Sequence, residues 1–579
     1  MNTLNGGNRP DERGPLSLYR LHPFSTWNVM SLSRYARFAR PLAWIVLMAA
    51  AVFGAAYWWL LGRPVTLPDS PTAKIGCVSY APFRFAGETP FDPNAFISPQ
   101  RIEEDLKALS TRFDCVRTYS MGQGLGAVPD IAGRYGMKVL MGIWLGRDPI
   151  ANEREIALGI AAAKRDRNTL RGIIVGNEVL LRNELSEKAL AADIARVNEA
   201  TDVPVTYADV WEFWQAHPAL AKVTDYITIH ILPYWEDEPV SPEKAVRHVA
   251  DVYQRMKAEF PGKQIMIGET GWPSQGRTRR DASASLVNEA RYLREFLNYA
   301  ATVDMPYNVI EAFDQPWKRD LEGTVGGFWG IFDAKGEPKF AMTGPVVEES
   351  RWSWGLAAGG VVAVLFVLAG AFRRRWHGVP GWAALALSGF ATGTALAAHA
   401  RLLWFACRNP LEWTVGVAAG VAGAFTALWL ARAIAARLAA PVNPAEVAPR
   451  PVERRMWGMA WTDAFTPQRF VWMFILTLYG ILMAFNGRYR DFPIGLFAMP
   501  CIGFLTLALL RTREDALMPL VEERFLAIWL VLLGIAVVVQ ELGANVVAWG
   551  WLLLNLALAF PVLAAWARAA RRPKDTRPA

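Results

Sequence analysis

Apolar residues along this 579-residue chain fall into two patterns. Between about residues 67 and 350, short runs rich in β-branched residues alternate with stretches of helical period such as PQRIEEDLKALSTRF and ARYLREFLNYAATV. The runs lie at 75–82, 115–120, 138–145, 172–178, 203–209, 226–234, 264–273 and 307–317. Eight strands alternating with helices over this length predict an α/β fold, a (β/α)8 barrel. A doubly wound open sheet is the alternative, and the absence of a glycine-rich phosphate loop after the first strand weighs against it.

On either side the apolar residues run nearly unbroken. The stretch 41–61 is uncharged and long enough to cross a bilayer, with Arg34, Arg37 and Arg40 before it and Trp58 and Trp59 at its far end. A cleaved signal peptide is the rival reading, but the 40-residue leader and the length of the run favour an anchor. Seven more apolar segments follow, near 354–371, 381–398, 413–431, 470–486, 493–510, 525–540 and 545–566. Arginine clusters follow every second one: Arg373–Arg375, then Arg432, Arg437, Arg454 and Arg455, then Arg511, Arg513 and Arg524, and finally Arg568, Arg571 and Arg572. With each cluster in the cytoplasm, the chain has eight spans and both termini inside. The expected organisation is a cytoplasmic tail at 1–40, an anchor at 41–62, an extracytoplasmic barrel at 67–350, an all-α polytopic region of seven helices at 354–566, and a cytoplasmic tail at 567–579. In a Gram-negative cell the barrel would then be periplasmic, held on the inner membrane.

Composition refines this picture. The hydrophobic share is 53 % and the mean hydropathy +0.16, which excludes a disordered or coiled-coil chain. The net charge of +8 hides an acidic middle: residues 67–350 carry −8, against +5 before and +11 after. The basic excess borders the apolar runs, where it sets topology, so nucleic acid is not an expected partner. Few ionisable groups fall at bilayer depth, with His399, Arg401 and Glu541 only at segment ends, which disfavours a transporter. Neither an Asp-x-Asp pair nor a Gln-x-x-Arg-Trp motif of a processive glycosyltransferase is present. Four cysteines are no disulfide scaffold and lack metal-ligand spacing. Cys77 and Cys115 could meet on neighbouring strands, although two separate buried thiols is the favoured reading.

In a barrel of this type, chemistry gathers at the C-terminal strand ends. Those ends carry Tyr80, Arg117–Tyr119, Trp144, Asn177–Glu178, Asp209, Tyr234–Trp235, Glu269–Trp272 and Phe313–Trp317. Glu178 closes the fourth strand in RGIIVGNEVL and Glu269 the seventh in QIMIGETGWPS. Strands four and seven face each other across the mouth, so the two carboxyls can flank one bond, as retaining glycosidases require. Aromatics crowd the same rim, namely Tyr119, Trp144, Trp211, Trp214, Trp235, Trp272, Trp317 and Trp329, of which Tyr234 and Trp272 are the favoured sugar-stacking rings.

GNE and GETGWPS at these two strand ends resemble glycoside hydrolase family 17, the β-1,3-glucanase family. SYAPFR, VRTY, Pro233–Tyr234, AFDQPWK and FWGIFDAKGEPK extend the resemblance over about residues 74–341. It implies Glu178 as acid/base, Glu269 as nucleophile and Asn177 on the sugar 2-hydroxyl, with Tyr80, Tyr119, Tyr234, Trp272, Phe313 and Lys318 binding the glucan, and neither metal nor cofactor. Two departures stand out. The sixth strand reads His230-Ile231-Leu232-Pro233-Tyr234 where plant members commonly read Asn-x-Tyr-Pro-Tyr, leaving Tyr234 and His230 as candidates to hydrogen-bond the nucleophile. Asp314 and Gln315 replace the usual Asn and Glu, so acceptor-side contacts differ. The plan of anchor, barrel and polytopic tail resembles bacterial membrane-bound members associated with β-(1,3)/(1,6)-glucan synthesis. The implied activity is a retaining β-1,3-glucanosyltransferase that rejoins chains at a 6-hydroxyl, working beside a membrane glucan synthase. A membrane-tethered endo-β-1,3-glucanase and a non-catalytic glucan sensor are the alternatives, with a glucan or lipid-carrier exporter behind them.

Overall fold

In the computed structural model, residues 26–372, 378–439, 454–456, 459–461, 465–510 and 519–570 are described, with side chains from residue 38 onward. The arginines at 373–375, 511, 513, 571 and 572, and the tails at 1–25 and 571–579, lie outside the described residues, as do the side chains of Arg34, Arg37, Arg454 and Arg455.

The chain enters through helix α1 (Thr26–Leu61) and builds eight parallel strands: β1 (Ile75–Ser79), β2 (Phe113–Arg117), β3 (Lys138–Ile143), β4 (Leu170–Asn177), β5 (Val205–Val210), β6 (Ile227–His230), β7 (Ile265–Glu269) and β8 (Asn308–Val309). They pair in sequence order, with β8 against β1, and a bridge between Ile267 and Tyr307 brings β7 to the start of β8. This is the expected barrel. Its outer layer is α2 (Pro99–Leu109), α3 (Val128–Arg134), α4 (Pro149–Arg165), α5 (Glu187–Ala200), α6 (Trp211–Ala216), α7 (Pro242–Glu259) and α8 (Leu286–Val303), with short α9 (Arg319–Glu322) after β8. Serine or aspartate caps accept from the first turns of α2, α4, α5 and α8, at Ser98, Asp148, Ser186 and Ser285. The apolar stripes of these helices bury against the outside of the sheet. Inside the barrel, β1–β5 and β7 contribute Cys77, Cys115, Leu140, Ile174, Ala208 and Met266 to a separate small cluster, closed by Tyr226.

Three expectations need correction. Strand eight, expected over 307–317, is two residues long, because residues 310–314 leave the ladder while still bridging neighbours. Ile310 N–H donates to Thr270 O and Ala312 N–H to Ser79 O, each at 2.9 Å. Strands six and seven stop at His230 and Glu269, before the Pro233 and Pro273 turns. Cys77 and Cys115 are bonded to each other, against the favoured reading: β1 and β2 pair them in register with Cα atoms 4.3 Å apart.

The second body is helical: α10 (Trp352–Ala371), α11 (Gly378–Ala406), α12 (Pro410–Ala439), α13 (Phe465–Phe485), α14 (Ile494–Leu510), α15 (Val521–Gln540) and α16 (Val546–Ala570). These match the seven expected segments, and α1 packs among them, Trp58 Nε1 donating to Thr394 O. Among the described residues, six helices are long and apolar enough to cross a membrane: α1, α10, α11, α12, α13 and α16. The apolar α14 is shorter.

The disulfide predicts that full-length protein, denatured without reductant, is alkylated only at Cys407 and Cys501. Intact-mass measurement before and after reduction should reveal two further labels, and four labels without reductant would contradict the bond.

Candidate active site

At the centre of the mouth stands Arg117, the last residue of β2, with its side chain fully buried. One guanidinium nitrogen donates to Gly268 O at 2.7 Å and to Glu269 Oε1 at 3.0 Å, while the other donates to Asn177 Oδ1. This last bond sets the direction of the Asn177 amide. Gly268 lets β7 lie close against β6: a Cβ there would sit 2.4 Å from Thr228 Cγ2 and 3.1 Å from the His230 ring.

Glu269 also accepts from Tyr119 Oη at 2.8 Å, and the Ser79 hydroxyl, 3.0 Å away, donates to Tyr119 Oη in turn. Burial opposes the charge of Glu269. Yet His230, Arg117, the Tyr119 hydroxyl and Lys318 together hold its carboxyl below the usual glutamate value. The pocket thus keeps this carboxylate ionised. The groups that hydrogen-bond Glu269 are therefore Arg117 and Tyr119, not the expected Tyr234 or His230. His230 Nδ1 instead meets Glu178 Oε1 at 2.8 Å, while its Nε2 lies 3.8 Å from Glu269 Oε1.

Glu178 reaches the mouth because β4 breaks step. Gly176 has φ +83°, the pairing of β4 with β5 shifts between Ile174 and Asn177, and Glu178 itself has φ +51°. A left-handed glutamate costs on the order of 1 kcal/mol, and Ala208 O holds it there through the Glu178 N–H at 2.8 Å. Its side chain is 23 % exposed and that of Glu269 7 %. An oxygen of each carboxylate and a His230 nitrogen all lie within 4.8 Å of one another. A cation could be imagined there, but the Arg117 guanidinium already supplies fixed positive charge at that spot.

The structure brings Glu178, Asn177, Glu269 and Tyr119 together, with Lys318 nearby. Lys318 Nζ donates to both oxygens of Glu311, at 2.9 and 2.8 Å, and burial pushes the Glu311 carboxyl up to about 7 despite that lysine. Four expected binding residues lie elsewhere. Tyr80 is fully buried and donates to Asp105 Oδ2 on α2. Phe313 is packed between Tyr80 and Phe332 beneath the Arg84 guanidinium. Tyr234 donates to Arg277 O, and Trp272, 1 % exposed, donates to Ser283 O. These rings back the cleft rather than face it. Asp314 and Gln315 are similarly engaged, Asp314 with Gly330 N–H and Lys339, and Gln315 with Ala81 O. Of the remaining rim aromatics, Trp214 is core and Trp329 nearly so, while Trp144, Trp211, Trp235 and Trp317 are half-buried. Ser79 is the neighbour that sequence reasoning left out; Arg117 was read only as a strand-end residue and His230 only as a candidate partner of the nucleophile, whereas it meets Glu178.

Loops after β6, β7 and β8 rest on the ends of the apolar helices. Arg277 pairs with Glu541, whose other oxygen accepts from Arg280 N–H at 2.5 Å. Asn545 Nδ2 donates to Thr278 O, Thr324 Oγ1 to Asp491 Oδ2 and Arg319 to Phe405 O. Tyr489 and Arg488, between α13 and α14, stack against Trp235. The side of the mouth nearest Glu269 is thus seated on the helical body.

Residues 77–330 match the BtgE/BtgC glycoside hydrolase domain family. Similar proteins include a glucan 1,3-beta-glucosidase of Saccharomyces cerevisiae, 24 % identical over 271 residues, which span 42 % of this chain and 85 % of that one. Another, from Schizosaccharomyces pombe, is 26 % identical over 244 residues, or 39 % of this chain and 76 % of that one. Among solved structures, a glycoside hydrolase family 17 beta-1,3-glucanosyltransferase from Rhizomucor miehei is 24 % identical, covers 46 % of this chain and 97 % of its own, and has a TM-score of 0.41.

The seating of the mouth predicts that Glu541→Leu, which strands Arg277 without its carboxylate, lowers the stability of the full chain by about 3–5 kcal/mol. Thermal melting in detergent reads this, and an unchanged melting temperature would contradict the contact. Through residues 77–330, the chain is similar to the BtgE/BtgC glycoside hydrolase domain and to glucan 1,3-beta-glucosidases, and it is a glycoside hydrolase family enzyme.

Proposed function

We propose that this chain is a membrane-held retaining enzyme acting on β-1,3-glucan, with Glu269 as nucleophile and Glu178 as acid/base. The observation that carries the reading is the contrast between the two carboxylates. Glu269 is enclosed and held ionised by His230, Arg117 and Tyr119, as an attacking group needs. Glu178 is more exposed, tied to His230, and able to trade a proton with the leaving oxygen and then with the acceptor. Oxygens within 4.8 Å suit direct attack better than the roughly 6.5–9.5 Å carboxyl separation that accommodates a water in inverting enzymes. The glucan 1,3-beta-glucosidase relatives support β-1,3-glucan as the substrate class.

The glycosyl-enzyme is resolved by water or by a sugar hydroxyl, and the same pair serves both. Our reading is transfer, joining the donor to a 6-hydroxyl of a second glucan. The seat of the mouth on the helices supports it, because such a site lies beside a chain leaving a membrane glucan synthase. We place the barrel, 67–350, on the extracytoplasmic face of the inner membrane, anchored by 41–62 and 354–566 with both tails in the cytoplasm. The arginine distribution supports this orientation, and so does the Cys77–Cys115 bond, since disulfides persist in oxidising compartments.

Full-length protein incubated with reducing-end-labelled laminari-oligosaccharides should give products longer than the substrate, with new 1→6 signals by NMR. Glu269→Gln should lower turnover by at least about a thousandfold. Shorter products alone would make the enzyme an endo-β-1,3-glucanase, and binding without turnover would make it a sensor. The pH profile carries a signed expectation. Because the Glu269 carboxyl lies below the usual value, kcat/KM falls on the acid side only below the ordinary glutamate range. Tyr119→Phe removes a donor to the carboxylate, so that limb moves to higher pH, and an unmoved limb would separate it from Glu269.

A further inference from the structure

The helical body contains a cavity of about 770 Å³ against the barrel, bounded by α1, α11, α12, α14 and α16. Its wall changes character along its length. Toward the barrel it is polar, lined by Gln275, Thr324, Glu348, Arg401 and Asp491; deeper in, it is lined by apolar or small side chains such as Leu47, Ala391, Ala498 and Ile502. On α1 the lining runs from Val46 to Tyr57, about 16 Å at 1.5 Å per residue, which is half of a hydrocarbon core of about 30 Å. Phe53 and Val546 line it and are 70 % and 81 % exposed, so it opens sideways where lipid would lie. The Ser388 hydroxyl, also in the lining, has no hydrogen-bond partner among the described residues.

We infer that this cavity holds one membrane lipid with a neutral, hydroxyl-bearing head group, its chain along α1 and α14 and its head against the loops after β7 and β8. Depth and sideways opening match a chain from a single leaflet. The polar end selects the head. Arg401 is its cation, already balanced by Glu348 at 3.6 Å and Glu349 at 3.1 Å. Asp491 adds a buried carboxyl that accepts from Thr324, and burial pushes both Asp491 and Glu348 upward, toward their neutral forms. A phosphate would meet the lining carboxyls of Glu348 and Asp491 and a single guanidinium already paired with Glu348 and Glu349. A glycerol or sugar head would find the Gln275 amide, the Thr324 hydroxyl and carboxyl groups able to donate or accept. Gln275 lies six residues beyond Glu269 and Thr324 six beyond Lys318, so the head group adjoins the loops that carry the site. The inference does not rest on the reaction proposed for the glutamates.

The test uses full-length protein in phosphatidylcholine nanodiscs doped equally with monoglucosyl-diacylglycerol and phosphatidylglycerol, read by native mass spectrometry. The glycolipid should be retained at least about tenfold over phosphatidylglycerol. Ala391→Phe and Ala498→Phe, which fill the cavity, should remove that preference in protein whose helical content is unchanged. Should either fail to insert, Gln275→Ala combined with Thr324→Val should reduce retention about tenfold while leaving the apolar wall intact. Diacylglycerol retained as well as the glycolipid would support the site with glycerol as the recognised head. Equal retention of both doped lipids, or a preference unchanged in the filled variants, would overturn it and leave only lipid around the helices.

Discussion

The mouth of this barrel is organised around one buried cation. Arg117 enters from β2 and is bonded to three groups on two other strands: the Gly268 carbonyl and the Glu269 carboxylate on β7 and the Asn177 amide on β4. Removing one partner of such a buried pair costs about 3–5 kcal/mol, since the remaining charge is stranded. Its neighbours are braced in turn: Ser79 and Asn308 support Tyr119 and the Gly268 carbonyl, and Cys77 and Cys115 are bonded to each other on the same two strands that carry Ser79 and Arg117. The same arginine that ties the strands together keeps Glu269 ionised, so packing and chemistry share one group.

A second constraint comes from the helices. A barrel needs only one span to be held at a membrane, yet the loops after β6, β7 and β8 meet the ends of several. Arg277–Glu541, Thr324–Asp491 and Tyr489 against Trp235 are buried or half-buried contacts between the two bodies. They hold the loops next to Glu269 and Lys318 in one arrangement, and this gives the helical body a physical role at the mouth of the barrel.

Much of this was legible in the sequence. The alternation of apolar runs and amphipathic stretches located all eight strands, and the uninterrupted apolar runs located the helices, because both are local patterns with fixed periods. The glutamates were legible as strand ends. The partners of Glu269 were harder to read: Arg117 and Tyr119 lie about 150 residues away, and which end-of-strand side chain points inward depends on register and on the irregular step at Gly176. Tyr80, Phe313, Tyr234 and Trp272 are buried and engaged with other protein groups, which their strand-end positions did not show. An aromatic at a strand end reads the same whether it faces sugar or backs the cleft, and only packing distinguishes the two. The disulfide escaped for a related reason, since spacing of 38 residues says nothing about register. Glu541 reads as a charge at a segment end, and its partner Arg277 is 264 residues distant.

The central claim is that the carboxylate held by Arg117 attacks the sugar. Full-length enzyme treated with a 2-deoxy-2-fluoro-laminaribiosyl fluoride, which slows release of the glycosyl-enzyme, should carry one added disaccharide. Peptide mass spectrometry should place it on Glu269, and Arg117→Met should slow its formation. A label on Glu178, or turnover with no covalent adduct and inverted products, would contradict the account.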